Sequence, residues 1–410
     1  MNHGLVCMIL LLAAWQADAQ VALPRVLQQP QRPRPDATRP VVPPADAGFG
    51  SPLSGLTTEQ RMAFAAGLDE FQSVEDVEGG LGPTFNNVSC VSCHGVPAIG
   101  GSANILVTRF GRATAGNFDP LAGLGGSLLQ QFAIDPAAQE RVPPEANVVA
   151  RRQATPLFGL GLIEAIPDAT IVQNAARQKP DGVRGLPAEV LDVVSGQTRI
   201  GHFGWKAQQA TLLAFAGDAY LNEMGVTSRF FPQENAPNGN LALLAQFDSV
   251  ADPEDTIDPA TGKGDIDVAA DFMRLLAPPP RLPMNTSARA GESLFSSTGC
   301  AACHQPQMLT GESPIRALDR KPVNLYSDLL LHDMGALGDG IEQGFARARD
   351  IKTPPLWGLR ASGPYLHDGR AAGVEQAIFA HDGEARPARD RYSRLNPTMR
   401  RQLLDFLATL

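Results

Sequence analysis

Two stretches, "NVSCVSCHGVP" and "TGCAACHQPQ", place Cys90, Cys93 and His94, and again Cys300, Cys303 and His304, in the same C-x-x-C-H order. The chain has 5 cysteines in 410 residues, and four of them are committed to this arrangement. Any fold that satisfies it must present a cysteine pair and an adjoining histidine to one common partner, twice. The fifth cysteine, Cys7, lies in "MNHGLVCMILLLAAWQADAQ". There an apolar run from Leu5 to Trp15 precedes the small-x-small step Ala17-Asp18-Ala19, which predicts a secretory signal peptide over 1–19 and export to the periplasm. No later run is long and apolar enough to predict a membrane span.

C-x-x-C-H is the attachment signal of c-type haem: two thiols form thioethers with the porphyrin, and the adjoining histidine is placed beneath the iron. A redox-active dithiol would not need His94 and His304, a structural zinc would need the two motifs to converge, and a disulfide would use only the cysteines. The motifs therefore predict two covalently bound haems, tethered at Cys90, Cys93, Cys300 and Cys303, with His94 and His304 as proximal iron ligands. Thiol chemistry by these four sulfurs is then excluded.

A net charge of −9 and a pI near 5.3 argue against a nucleic-acid partner. With 40 Gly and 34 Pro, the chain should consist of short helices separated by many turns. "LTTEQRMAFAAGLDEFQ" opens with Thr57 and Gln60 in capping-box spacing, and a helix of the same kind, "TSARAGESLFSS", precedes the second motif. A second echo, "TPLFGL" at Thr155–Leu160 and "PPLWGL" at Pro354–Leu359, follows each motif at a similar interval and predicts an internal duplication. "WKAQQATLLAFAGDAYLNEM" and "DIDVAADFMRLLA" read as further helices, and "NPTMRRQLLDFLATL" as a final one capped by Asn396. The expected architecture is mainly α. After the signal peptide come a Pro-rich tether (20–55), an N-terminal cytochrome c-like haem domain (56–165), a helical insert (166–285) and a C-terminal cytochrome c-like haem domain (286–410).

From about Leu56 onward the chain resembles the bacterial di-haem oxidoreductases, also called thiol oxidoreductases, which are related to the di-haem cytochrome c peroxidases. The resemblance rests on "FNNVSCVSCHGVPAIGG", "ATPLFGLGLIEAIPD", "FGWKAQQATL", "GCAACHQPQMLTG", "YSDLLLHDMG", "KTPPLWGLRASGPYLHDGR" and "EQAIFAHDGEA". It implies a periplasmic enzyme that reduces a small oxidant such as peroxide at the first haem and takes electrons from a small periplasmic donor at the second. It also implies a calcium ion held by the backbone carbonyls of Ser362 and Pro364. The rival expectation is a non-catalytic electron carrier whose first haem is closed by Met224 or His202.

His381 shares a helical face with Val374, Ala377 and Ile378. The similar peroxidases carry a sixth ligand, usually methionine, at the corresponding helix end, so the resemblance makes His381 the expected distal ligand of the second haem, with Met334 or His332 as alternatives. His367 and His202 are expected to be loop residues. Trp205 and Trp357 are core aromatics or lie between the haems. Glu164, embedded among Leu160, Leu162, Ile163 and Ile166, is the candidate catalytic acid, because burial beside an open haem would raise its pKa and suit it to proton transfer. Its alternative is a helix cap or a carboxylate paired with Arg151 or Arg152.

Overall fold

A computed structural model describes residues 48–410, which belong to one compact unit. The expected signal peptide, Cys7 and most of the tether lie outside the described residues. Helix α1 (Thr58–Phe71) starts where the sequence places it: Thr57 Oγ1 accepts from Gln60 N at 3.2 Å, and Gln60 Oε1 accepts from Thr57 N at 3.0 Å. This reciprocal pair satisfies two of the amide donors that a helix start leaves free. The first cysteine motif forms the single turn α2 (Cys90–Cys93).

The chain is helical in the main, but after the first motif it forms a sheet that the sequence did not lead one to expect. Strand β1 (Leu106–Thr114) pairs antiparallel with β2 (Asn117–Asp119), β3 (Leu128–Leu129) and β4 (Val148–Gln153). The sheet buries Phe110 completely and leaves Arg112 to Thr114 exposed. Its strands are short and interrupted by turns, so they left only a weak period-two signal in the sequence. Helices still dominate the remainder: α3 (Leu160–Glu164), α4 (Leu212–Ala219), α5 (Asp265–Leu275), α6 (Thr286–Ser297), α7 (Val374–Ala380) and α8 (Pro397–Leu407). The hairpin of β5 (Leu331–Asp333) and β6 (Asp350–Lys352) lies between α6 and α7. The helix read from "WKAQQATLLAFAGDAYLNEM" forms only from Leu212, because Thr211 caps it by accepting from Ala214 N, while Phe203 and Gln209 close a bridge around the preceding turn.

The stretches around the two motifs share a way of crossing helices. α1 packs on α5, and α6 packs on α8. At the first crossing a methyl group on Gly67 would come within 2.5 Å of Val268 O and 2.7 Å of Phe272 Cβ; at the second, one on Gly291 would come within 1.9 Å of Gln402 O and 2.8 Å of Phe406 Cβ. Only a residue without Cβ admits such backbone contact. Four residues on from each glycine stands an aromatic ring against the partner helix: Phe71 lies 4.8 Å from Phe272, and Phe295 lies 5.3 Å from Phe406. α5, in the stretch read as an insert, is thus the helix that packs against α1. The "TPLFGL" and "PPLWGL" echoes match as well, with Gly159 and Gly358 at φ 73° and 75° before a short helical turn.

Gly291→Ala should therefore lower stability by about 1–3 kcal/mol or more, since the added methyl meets backbone rather than a movable side chain. Gly123→Ala, where nothing lies within 4 Å, should stay within about 0.5 kcal/mol of wild type. Thermal unfolding of the two variants checks the contrast.

Candidate functional site

The second motif follows α6 directly. Cys300–Ala302 form one 3-10 turn, and His304 N donates to Cys300 O at 2.9 Å, which places both sulfurs and the imidazole at one end of the helix pair α6/α8. His304 Nδ1 lies 3.0 Å from Tyr326 O. A carbonyl can only accept, so Nδ1 carries the proton and Nε2 keeps its lone pair. His381 stands one residue past the last turn of α7, not within the helix, and its Nδ1 is fixed in the same way, 2.7 Å from Ala377 O. The His304 and His381 rings face each other with centroids 6.4 Å apart. Two metal–imidazole bonds of about 2 Å, extended to the ring centres, span roughly 6 to 6.5 Å. Burial holds both pKa values below the ordinary range; that of His304, with His381 adding to the effect, falls to about 4. Both rings are thus neutral near pH 7, the state a metal ligand needs.

Between them opens a cavity of about 270 Å³, bordered by Cys300, Cys303, His304 and His381 and walled by apolar residues such as Phe295, Ile378 and Leu407. Its volume approaches the range of about 300–1,000 Å³ usual for cofactor sites. Paired cysteines, two neutral imidazoles with free Nε2 and an apolar cavity fit a c-type haem. The alternatives to His381 fare differently. His332 has both nitrogens engaged, Nδ1 with Glu384 at 2.7 Å and Nε2 with Asp328 at 3.1 Å. These carboxylates raise its pKa well above the ordinary value although burial opposes them. Met334 borders the cavity, as do Trp205, Trp357 and the Ser362 and Pro364 segment.

The first motif repeats the local geometry: His94 N donates to Cys90 O at 3.0 Å, and His94 Nδ1 lies 3.0 Å from Gly101 O. Burial keeps its pKa low, partly offset by the carbonyls of Gly101 and Thr155. Burial raises the Cys90 thiol pKa and pushes that of Cys93 up to about 12, with Glu223 adding to the latter, so neither is poised as a free nucleophile. Among the described residues no second imidazole packs against His94; its ring neighbour is Phe71, at 6.0 Å.

What lies near this motif instead is buried charge. After α4 the chain makes one turn of π helix, Tyr220–Met224, a device that recurs at functional sites. The turn carries Glu223, whose Oε2 accepts from Asn86 Nδ2 at 2.8 Å and whose pKa is raised, chiefly by burial. Asp218, one turn earlier, is likewise raised by burial and accepts from Asn222 at 3.0 Å. Arg109 of β1 balances both at a distance. Its Nε is buried without a partner, and burial, with Arg152 next, lowers its pKa to about 10.

Glu164 has a different assignment. Its Oε1 accepts from Leu212 N at 2.7 Å, at the start of α4, and its Oε2 pairs with Arg274 Nε at 2.7 Å. The carboxylate thus joins α3, α4 and α5, and its partner is Arg274, not Arg151 or Arg152. Both of its oxygens are thus engaged in holding these elements together. Sequence reasoning passed over Glu223, although "DAYLNEMGV" carries the same signal as Glu164, an acid inside an apolar run. His202, expected in a loop, is fully buried and borders the cavity, as does His367.

Comparison with known proteins places these features. Residues 139–410, about two-thirds of the chain, match the family described as "Di-haem oxidoreductase, putative peroxidase"; the match contains the second motif and Glu223 and begins after the first motif. The methylamine utilization protein MauG of Methylorubrum extorquens is 30% identical over 141 residues, which cover 31% of this chain and 35% of that protein. The match therefore spans about a third of the length of this curated relative. Among solved structures, Kuenenia stuttgartiensis hydrazine synthase overlaps with a TM-score of 0.43 at 15% identity, covering 95% of this chain and 100% of that one. The diheme peroxidase BthA from Burkholderia thailandensis gives 0.38 at 15% identity, covering 85% of each chain. These overlaps are too loose to carry an argument about fold or chemistry.

The engagement of Glu164 generates a direct expectation. Glu164→Gln should cost about 1–3 kcal/mol, the range for breaking a partly buried charged hydrogen bond, and should leave the optical spectrum of both sites as in wild type. Chemical denaturation alongside absorption spectroscopy reads both quantities.

Proposed function

This chain belongs to the di-haem oxidoreductase family, and from that membership and the geometry above we propose that it is a periplasmic, peroxidase-like enzyme carrying two c-type haems. The observation that carries the reading is the difference between the two motifs. His304 faces a second neutral imidazole, His381, across its cavity, whereas His94 is accompanied by half-buried Glu223, Asp218 and Arg109. In this reading the first site takes up a small oxidant and the second takes up electrons from a small periplasmic donor.

When bound, each haem supplies an iron that exchanges electrons and, where one face is open, takes a small oxidant. The protein does the remaining work. Cys90, Cys93, Cys300 and Cys303 would tether the groups, and His94 and His304 would ligate through Nε2 because a backbone carbonyl lies at hydrogen-bond distance from each Nδ1. His381 closes the second site. Reduction of hydrogen peroxide to two waters consumes two electrons and two protons, so the first site needs a group that can accept and return a proton. Glu223 meets that need: burial keeps its proton affinity high, and Asn86 fixes one carboxylate oxygen. Arg109 acts on Glu223 and Asp218 from a distance and would supply positive charge on that side of the first site.

Purified protein should carry two haems per chain that resist acid-acetone extraction, with no titratable thiol; one haem or none rejects the reading. His381→Ala should convert one low-spin signal to high-spin while the other haem keeps its spectrum.

Glu223→Gln should lower peroxide turnover by about 10²–10⁴-fold, the usual contribution of a general acid-base group. The pH profile separates this from a structural effect. A base with a raised pKa is lost as pH falls through that pKa, so the wild-type rate should show an acidic limb above the ordinary glutamate value of 4.5, absent in the Gln variant. If the half-reduced protein neither binds cyanide nor consumes peroxide, the first site is closed and the chain is an electron carrier, with Met224 the first residue to replace.

A further inference from the structure

The cavity between His304 and His381 is not apolar throughout. Around His304 and His381 its wall is Phe295, Val374, Ile378 and Leu407. Elsewhere it is organised around Trp205. The Trp205 indole donates to Gln153 O at 2.8 Å, its backbone carbonyl accepts from Lys352 N at 2.8 Å, and its ring lies 6.1 Å from that of His367. Gln153 N in turn donates to His367 O at 2.7 Å. Three short contacts therefore gather Gln153, Lys352 and His367 in one part of the wall.

That part holds polar groups without protein partners. Gln153 Oε1 is buried with nothing to accept from. His202, three residues before Trp205 and 1% exposed, has Nε2 3.4 Å from Asp168 Oδ1, while its Nδ1 is buried without a hydrogen-bond partner. Lys352 is the strongest case. It is 6% exposed, and its ammonium makes no hydrogen bond or ion pair among the described residues. Asp328 acts on it only at a distance, and burial pushes its pKa down to about 8. A buried ammonium without a counter-charge is costly, and the cost disappears when an anion occupies the space beside it. By contrast Lys206, equally buried, is fully engaged by Asp339 and the carbonyls of Arg347 and Asp350.

Resting on the haem reading of the second site, we propose that Lys352 is the carboxylate anchor of that site: its ammonium pairs with a propionate of the haem held by His304, and the polar wall around Trp205 receives the group's carboxylate edge. The polarity of the cavity matches the polarity of the ligand. A tetrapyrrole is apolar over most of its rim and carries its two carboxylates on one edge, and the wall divides in the same way. A soluble organic carboxylate would present the same chemistry to Lys352, so the test must separate the two sources.

The experiment uses the haem-loaded protein and compares wild type, Lys352→Met and Lys352→Arg. The haem count comes first: two per chain in all three proteins leaves the underlying reading intact, whereas fewer in wild type overturns that reading and the anchor with it. The propionate bending band in resonance Raman should shift in Lys352→Met and stay close to wild type in Lys352→Arg. In spectroelectrochemistry, Lys352→Met should lower the potential of the low-spin haem, because a nearby cation is lost, without moving the other haem. Wild type transferred to D₂O should show a shift of the same Raman band, which keeps the assignment testable if Lys352→Met fails to fold. An unchanged band and unchanged potentials in a folded Lys352→Met protein overturn the proposal. So does a wild-type band or potential that moves when acetate is added, since that would make a soluble anion the ligand.

Discussion

A single backbone carbonyl decides the orientation of each proximal histidine. Gly101 O and Tyr326 O each lie 3.0 Å from the Nδ1 of the histidine that closes a cysteine motif. Because the acceptor is a carbonyl, the tautomer is not free to vary, and the Nε2 lone pair must point away from the backbone. Everything that makes the two motifs competent follows from this. The i to i+4 turn from cysteine to histidine brings the imidazole to the sulfurs, and the carbonyl then aims it. His381 obeys the same rule from the opposite side, through Ala377 O.

The framework that supplies these carbonyls is repeated, and its surroundings are not. Both halves place a motif after a helix that crosses a later one at a glycine, with an aromatic ring four residues on. At the second motif the acids are paired in place: His332 is held between Asp328 and Glu384, and Lys179 pairs with Asp328, which leaves Lys352 as the one cation there without a counter-charge among the described residues. At the first motif the acids Asp218 and Glu223 accept from amide side chains, and Arg109 stands apart from both. Compensated charge favours a site that changes only its electron count. Carboxylates of raised proton affinity, without an ion-pair partner in contact and balanced only at a distance by Arg109, favour a site that must also move protons.

The motifs, the helix caps and the echo around Gly159 and Gly358 were legible because each is a local pattern whose physics is complete within a few residues. Thr57 and Gln60 specify one another across three positions, and Asn396 and Pro397 define a helix start without help from the rest of the chain. The sheet of β1 to β4 was not legible, since its order comes from pairings such as Phe110 with Val149 that connect distant short strands. Site residues divide on the same line. His381 was singled out by the apolar face of the helix before it together with the resemblance to peroxidases that carry a ligand at that helix end, although the helix stops one residue short of it. Glu164 and Glu223 carry the same signal in sequence, an acid among apolar neighbours. What separates them is a partner more than a hundred residues away in the first case, Arg274, and amide donors in the second, and neither can be read from spacing.

The two sites are joined by one short length of chain. β4 ends at Gln153, and the next residue, Ala154, leads into the "TPLFGL" turn. Thr155 contributes a carbonyl to the surroundings of His94 and also borders the cavity of the second site, while Gln153 receives the Trp205 indole. The wall of the second cavity and the support of the first histidine are therefore the same backbone. A displacement at one site cannot leave this segment in place without breaking contacts at the other, because β4 is held along six residues by β1 and Gln153 is fixed again by His367. The "TPLFGL" element that follows the first motif is thus part of the wall of the second motif's cavity, so the surroundings of the two motifs are not independent of each other.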